Sequence, residues 1–266
     1  MRVFTEQITD TATVTAYVLS PGERMTRPEV RPCVLVIPGG GYQFVSEREG
    51  EPVALAYVAE GFNAVVLTYA TGPDAPIETA FADGCAALAW VREKAATLFI
   101  DPDKVTAVGF SAGGHLAARL AVASGSAPNA LVLAYPVTLP TLREVIGRAL
   151  PDVVGEITST TPPTFVWATS GDELVPVQHT TALAHALAEH GVPFESHVYL
   201  MGPHGLSLAR PHTAAGDVTY VEDGVATWLP ASVRFLTRIF GPFDTRGEPN
   251  TVATRGRRAY PNGLPT

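Results

Sequence analysis

The sequence predicts an α/β protein with a mostly parallel central sheet and helices on both faces. Three observations carry this. Short apolar, β-branched runs alternate with longer helical stretches along most of the chain. Several of these runs are apolar without alternation, as in Cys33-Val34-Leu35-Val36-Ile37, which marks strands buried on both faces. The length of 266 residues, with 46% hydrophobic and 17% charged residues, suits one large domain with an ample core.

Residues 1–20 alternate loosely and read as one or two antiparallel strands at a sheet edge. The Pro/Arg-rich stretch up to residue 32 is a loop. Strand 33–37 ends in Pro38-Gly39-Gly40-Gly41-Tyr42. Residues 52–60 read as a helix stopped by Gly61, and 63–69 as the next strand. Helical periodicity then runs over 77–98 through Phe81, Leu88 and Val91, and Asp101-Pro102-Asp103 reads as a turn.

The central element is Val105-Thr106-Ala107-Val108-Gly109-Phe110-Ser111-Ala112-Gly113-Gly114-His115-Leu116. Residues 105–110 read as a buried strand and the residues from His115 on as a helix. A strand that becomes a helix within one residue holds that residue in a strained conformation. Side chains two positions to either side would collide with it, so small residues are needed at Gly109 and Gly113. The turn pushes the Ser111 hydroxyl outward and aims the first helical amides at whatever reacts there.

Residues 129–135 form a further buried strand. The stretch 137–162 is mixed, leaves room for a short helix over 141–149, and reads as a small insertion near the active face. Strand 164–169 leads into Ser170-Gly171-Asp172-Glu173-Leu174-Val175-Pro176. Helix 178–189, strand 193–200 and a loop containing Pro203-His204-Gly205 follow. A closing helix over 228–240 starts after Pro230. Residues 1–240 thus read as one domain and 241–266, with Pro242, Pro249, Pro261 and Pro265, as a tail. An arm packed on a neighbouring copy would make a homo-oligomer.

Parallel α/β sheets place chemistry at the carboxyl ends of their strands. The Gly39–Gly41 run, Ser111, Asp172 and His204 all follow strands directly. A serine needs a base to take its proton and a third group to orient that base. Among seven histidines, His204 sits in a Gly/Pro-flanked loop that can reach the sheet edge, and His212 is a second loop candidate. His115 lies a turn beyond Ser111 and reads as packed beside the site. His179, His185 and His190 fall on one helix and read as surface positions; His197 lies within a strand. Asp172 is the candidate orienter, with Glu173 as its neighbour and competitor. Oxyanion donors are expected from the amide of Ala112 and that of Gly40 or Gly41. Tyr42 is a candidate substrate-binding residue, unless it caps the core. Phe44 and Trp228 are candidates for lining the pocket.

The net charge of −8 argues against nucleic acid or an anionic membrane as partner. No H-E-x-x-H and no cysteine pair at ligand spacing is present, so no metal is expected. Cys33 and Cys85 read as two reduced, buried thiols. Residues 1–7 do not run into an apolar core of about 7–15 residues, and no apolar run reaches the roughly 18 needed to span a bilayer. The expectation is a cytoplasmic protein.

Taken together, Pro38-Gly39-Gly40-Gly41-Tyr42, Glu49-Gly50, Gly109-Phe110-Ser111-Ala112-Gly113-Gly114-His115-Leu116, Tyr135-Pro136-Val137, Asp172-Glu173-Leu174-Val175-Pro176 and Gly202-Pro203-His204-Gly205 resemble the α/β-hydrolase family of acetyl esterases. More narrowly, they resemble its branch of acetylxylan and feruloyl esterases. The resemblance covers residues 12–240. It implies an α/β-hydrolase fold, Ser111 as nucleophile, Asp172 as orienter, His204 as base, and the amides of Gly40 and Ala112 as oxyanion donors. The chain order Ser…Asp…His is the one such hydrolases use. Ile37-Pro38 stands before the glycines where hormone-sensitive-lipase relatives usually carry histidine, which favours the acetyl-esterase branch. The implied activity is hydrolysis of short-chain acyl esters, of acetylated small molecules or sugars, without a cofactor. A feruloyl or longer-acyl esterase is the nearest alternative. A prolyl-oligopeptidase-type peptidase would share the triad order but usually carries a large propeller or cap. A non-catalytic small-ligand binder typically lacks a triad member, and all three are present here.

Overall fold

A computed structural model describes residues 1–24, 26, 28–142, 147 and 149–243. The strands are β1 (Arg2–Gln7), β2 (Thr13–Val18), β3 (Arg31–Ile37), β4 (Asn63–Thr68), β5 (Ile100–Phe110), β6 (Ala130–Ala134), β7 (Thr164–Thr169) and β8 (Phe194–Tyr199). They form one eight-stranded sheet in the order β1-β2-β4-β3-β5-β6-β7-β8. Only β2 runs against the rest; it pairs antiparallel with both β1 and β4. The remaining ladders, from β4 through β3 to β8, are parallel.

The helices are α1 (Glu51–Ala59), α2 (Ile77–Glu93), α3 (Ser111–Ala123), α4 (Gln178–Glu189) and α5 (Trp228–Phe240). Alternate residues of each central strand feed two cores. Cys33, Leu35 and Ile37 of β3 pack with Leu88 and Val91 of α2, Leu116 and Leu120 of α3, and Leu183 and Leu187 of α4. Val34 and Val36 face the other way, toward Val53 and Tyr57 of α1 and Phe235 and Leu236 of α5. This two-sided burial is why β3, β5, β6 and β7 read as apolar runs.

The strand order places the site. From β3 the chain steps to β4 on one side, and β5 pairs with β3 on the other before β6, β7 and β8 build outward. The order reverses between β3 and β5, so a crevice opens beyond their carboxyl ends. Gly39 and Ser111 stand at those two ends.

Three expected boundaries shift. The turn at 101–103 lies inside β5. Between the pairs Arg31–Ile100 and Cys33–Val105, β5 carries extra residues that bulge out. Within that bulge the Asp103 amide donates to the Asp101 carboxylate (3.1 Å), so the turn chemistry is real but does not end the strand. Helix α2 stops at Glu93, short of residue 98. Helix α5 begins at Trp228, before Pro230, because a first-turn proline lacks only an N–H that has no intrahelical partner. A short 3₁₀ turn covers Pro140–Leu142; most of the helix expected over 141–149 lies outside the described residues. Of the tail, Phe243 packs edge-on against Phe62 (5.8 Å), and residues 244–266 lie outside the described residues. Cys33 and Cys85 are free thiols, but only Cys33 is fully buried. Cys85 sits on the rim of its helix face. No helix among the described residues is long and apolar enough to cross a membrane.

Candidate active site

Phe110 is the last residue of β5 and Ser111 the first of α3. Ser111 has φ 52°, a left-handed conformation that costs a non-glycine residue about 1–3 kcal/mol. The packing around it leaves no room to relax. A Cβ at Gly109 would lie 2.5 Å from the Gly113 carbonyl oxygen, and one at Gly113 would lie 2.2 Å from that of Ile37. The Val137 amide holds the Ser111 carbonyl (3.2 Å). Phe110, at the N-cap of α3, supplies no side-chain acceptor, so the Ala112 amide heads an uncapped helix end.

The loop after β3 faces this elbow. Gly40 and Gly41 have φ 123° and 62°. A Cβ at Gly40 would fall 2.1 Å from the Phe44 carbonyl oxygen, so glycine is required there; Gly41 has open space. Among the described residues no acceptor takes the Gly40 or Gly41 amide. The sequence therefore leaves uncommitted donors beside Ser111 on both sides of the β3/β5 crevice.

His204 and Asp172 arrive from the loops after β8 and β7. His204 Nε2 lies 2.8 Å from Ser111 Oγ, and His204 Nδ1 lies 2.7 Å from Asp172 Oδ2. A carboxylate only accepts, so Nδ1 carries the proton and Nε2 accepts from the serine hydroxyl. Asp172 is itself fixed: its Oδ1 accepts from the amides of Leu174 and Val175, both at 2.9 Å. Its side chain is almost wholly buried, whereas the His204 side chain keeps 15% exposure toward the crevice. The ring of Tyr135 meets His204 edge-on at 4.9 Å. Glu173 is exposed and lines the same cavity, but it is Asp172 that bonds His204 Nδ1; His212 is exposed in a different groove, beside Arg210 and Leu229. Ser111, Asp172, His204, Ala112, Gly40 and Gly41 are thus brought to one place.

Other expectations need correction. Tyr42 does not reach the crevice. Its φ of 61° turns the side chain into the core, where it is 1% exposed and its hydroxyl bonds His115 Nδ1 (2.7 Å). His115 packs beside the site as expected. Its Nε2 donates to the Pro151 carbonyl (3.0 Å), and burial pulls its pKa down to about 4, so the ring is neutral. His179 is not a surface residue. It faces inward from α4, where its Nδ1 accepts from the amides of Thr138 (2.9 Å) and Leu139 (3.1 Å), tying the segment after β6 to the helix. Burial lowers its pKa to about 4 as well. Trp228 does not line the pocket; it is buried, with Nε1 donating to the Ser207 carbonyl (2.9 Å). Phe44 does line it, with its ring exposed.

Two residues went unassigned in the sequence. Glu49 is buried next to the glycine loop: Oε2 accepts from the Gly39 amide (2.8 Å) and Oε1 from the Tyr135 hydroxyl (2.6 Å). Arg48 donates through Nε to the Thr213 carbonyl (2.6 Å) and through its other end to the Gly205 carbonyl, with its guanidinium over the Tyr220 ring at 4.2 Å. The available signals were Glu49-Gly50, quoted above as part of the family resemblance but given no role, and a charged pair sitting directly before a helix that starts with Glu51-Pro52.

Ser111 and His204 open onto a cavity of about 1450 Å³. Its mouth is notably apolar: Phe44, Leu174, Leu200, Met201 and Val218 line it, and Leu200 and Val218 are 80% and 78% exposed.

A doubly wound sheet with a strained serine on a strand–helix elbow, joined to histidine and aspartate in that chain order, defines a hydrolase of the α/β class. Comparison with known proteins agrees. A family model described as the alpha/beta hydrolase fold matches residues 34–150. The crystal structure of MGS-M1, an alpha/beta hydrolase enzyme from a Medee basin deep-sea metagenome library, superposes with a TM-score of 0.85 at 37% identity, covering 90% of this chain and 98% of that one. The acetyl ester-xyloside bifunctional hydrolase from Caldicellulosiruptor lactoaceticus superposes at 0.74 with 32% identity, over 86% and 88% of the two chains. In sequence, endo-1,4-beta-xylanase B of Butyrivibrio fibrisolvens is 32% identical over 217 residues, 70% of this chain. The match spans only 34% of that relative's length. The chain belongs to the α/β-hydrolase family, in its esterase branch.

Proposed function

We propose that this protein hydrolyses carboxylic esters with short acyl groups through an acyl-enzyme on Ser111. The observation that carries the reading is the unbroken chain of hydrogen bonds from Ser111 Oγ through His204 to the buried Asp172. Ser111 Oγ attacks the ester carbonyl carbon as its proton passes to His204 Nε2. Asp172 holds Nδ1–H and stabilises the imidazolium. The carbonyl electrons move onto oxygen, which the amides of Ala112 and of Gly40 or Gly41 receive; one such donor is worth about 10²–10³-fold in rate. Collapse breaks the bond to the alcohol oxygen, which takes the proton from Nε2 and leaves. Water then repeats the sequence on the acyl-enzyme, releasing the carboxylic acid and restoring the serine. No cofactor enters these steps.

Acetylated small molecules or sugars are the proposed substrates. The names of two relatives support this: one is an acetyl ester-xyloside hydrolase and the other a xylanase. A second reading, an esterase for longer or aromatic acyl groups such as ferulate, is favoured by the exposed apolar mouth of the cavity. Rates on p-nitrophenyl acetate, butyrate and octanoate, on methyl ferulate and on an acetylated xylo-oligosaccharide separate the two. Fast cleavage of acetate and sugar acetate that collapses at octanoate supports the first reading; preference for octanoate or ferulate supports the second. Ser111→Ala should abolish turnover by at least about 10⁵-fold with the fold intact. Retained hydrolysis in that variant overturns both.

A further inference from the structure

The catalytic edge holds a buried carboxylate that the proposed reaction does not use. Glu49 is 4% exposed and lies one glycine away from the nucleophile: a Cβ on Gly39 would sit 2.9 Å from Glu49 Oε2 and 3.0 Å from Ser111 Cβ. We propose that Glu49, acting through Gly39 on one oxygen and Tyr135 on the other, is the positioning residue that keeps the oxyanion loop and the His204 loop in register with Ser111. The inference rests on the reading of Ser111 and His204 as the reacting groups.

The contacts run in both directions from the carboxylate. Toward the glycine loop, the Gly39 amide donates to Oε2 (2.8 Å), and Gly39 is followed directly by Gly40, a candidate oxyanion donor. That bond fixes the Pro38–Gly39 peptide, and the Ser46 amide holds the carbonyl of the next one (3.0 Å), the peptide that carries the Gly40 N–H. Toward the base, the Tyr135 hydroxyl donates to Oε1 (2.6 Å) while its oxygen accepts from the Ser207 amide (2.9 Å). Burial and the neighbouring Glu49 charge raise the Tyr135 pKa far above its ordinary value, so the phenol keeps the proton it donates. Ser207 lies three residues after His204, and the Tyr135 ring rests on the His204 ring. The preceding residue strengthens the link: Ser207 Oγ donates to the Arg48 carbonyl (2.5 Å), and the Arg48 guanidinium holds the Gly205 carbonyl.

Backbone strain marks the same residues. Ser111, Tyr135 and Ser207 have φ of 52°, 39° and 54°. Non-glycine residues stay in that region only where their surroundings over-determine them. Here the Tyr135–Ser207 hydrogen bond joins two such residues, and Glu49 anchors it. A buried carboxylate is costly unless its oxygens are paired. This one is paired with donors from two loops that the chain does not otherwise connect nearby.

The chemistry of substitution separates positioning from simple packing. Glutamine keeps the shape of Glu49 but offers one acceptor oxygen in place of two, so the Gly39 amide and the Tyr135 hydroxyl no longer both donate to carboxylate oxygens and the link is weakened on one side. Phenylalanine at 135 keeps the ring against His204 but cuts the link from Glu49 to Ser207. The experiment measures kcat, KM and inhibition by a transition-state mimic, an alkyl trifluoromethyl ketone, for Glu49→Gln and Tyr135→Phe. Assays run well below each variant's melting temperature. In both, kcat is expected to fall about 10–100-fold with KM within about threefold, and the ketone to weaken by the same factor as kcat/KM, since displaced donors act on the transition state. Wild-type kcat in Tyr135→Phe, or in either variant a loss accounted for by the unfolded fraction, overturns the proposal. If Glu49→Gln does not fold, Tyr135→Phe alone decides. An inactive Ser111→Ala beside fully active Tyr135→Phe sinks only the positioning role; an active Ser111→Ala sinks the underlying reading.

Discussion

The two halves of the catalytic edge are built by different means. On the elbow side, formed by β3, β5 and α3, backbone meets backbone. Gly109 and Gly113 sit so close to the chain around them that a single added carbon would lie within 2.5 Å of a carbonyl oxygen. On the loop side, the residues after β7 and β8 are held by side-chain hydrogen bonds: Asp172 on the Leu174 and Val175 amides, Arg48 on Gly205 and Thr213, and Tyr135 on Ser207. Steric exclusion is stiff but all-or-none. Hydrogen bonds are weaker one by one and can be retuned singly. Ser111, the proposed nucleophile, thus sits on the rigid half and His204, the proposed base, on the adjustable half.

This contrast makes separable predictions. On the loop side the largest change is expected in rate. Asp172→Asn keeps Oδ1 for the two amides, so the loop holds its shape, but it turns an NH₂ toward His204 Nδ1–H. Donor then faces donor, the imidazole is driven to the wrong tautomer, and kcat should fall about 10³–10⁴-fold. Its melting temperature should stay close to wild type, and steady-state kinetics beside a thermal melt check both. On the elbow side the change is expected in stability. Gly113→Ala places a methyl 2.2–2.3 Å from the Ile37 and Pro38 carbonyl oxygens and should destabilise by more than about 3 kcal/mol in denaturant titrations. A stable, fully active Gly113→Ala would break the comparison.

A smaller effect is expected at Gly41, where φ is 62° but space is open. Gly41→Ala should cost about 1 kcal/mol of strain. If Gly40 supplies the oxyanion amide, activity should change by less than about tenfold. A drop of 10²-fold or more would move that role to Gly41. The smallest effect concerns pH. His115 and His179 have pKa values of about 4 in the folded protein, below the ordinary 6.5, because burial penalises the charged ring. The unfolded chain therefore binds more protons between those values. Their contribution to stability is complete above about pH 6.5 and is lost as pH falls toward 4. Thermal melts from pH 7 to 4.5 should show a falling midpoint, and His115→Gln should flatten that slope.

The site was legible to an uneven degree for physical reasons. The elbow and the glycine run announce themselves because backbone crowding imposes its demand within five residues of chain. Asp172 and His204 were legible through their place after strands, which the parallel topology brings to one edge. His179 was misread because a histidine among Thr180, Thr181 and His185 looks polar, while its ring is needed inward to accept two amides. Tyr42 was left between pocket and core; it is buried in the core, on a backbone with φ of 61°.

By itself, then, the sequence determined the α/β class, the order of its elements and the residue types able to react, since hydrophobic period, turn chemistry and glycine sterics act locally. The tertiary structure alone decided which groups meet. His204 reaches Ser111 across 93 residues of chain, and Glu49 reaches Tyr135 across 86. Such contacts have no local signature: a buried carboxylate and an exposed one are the same letter until the fold closes around one of them.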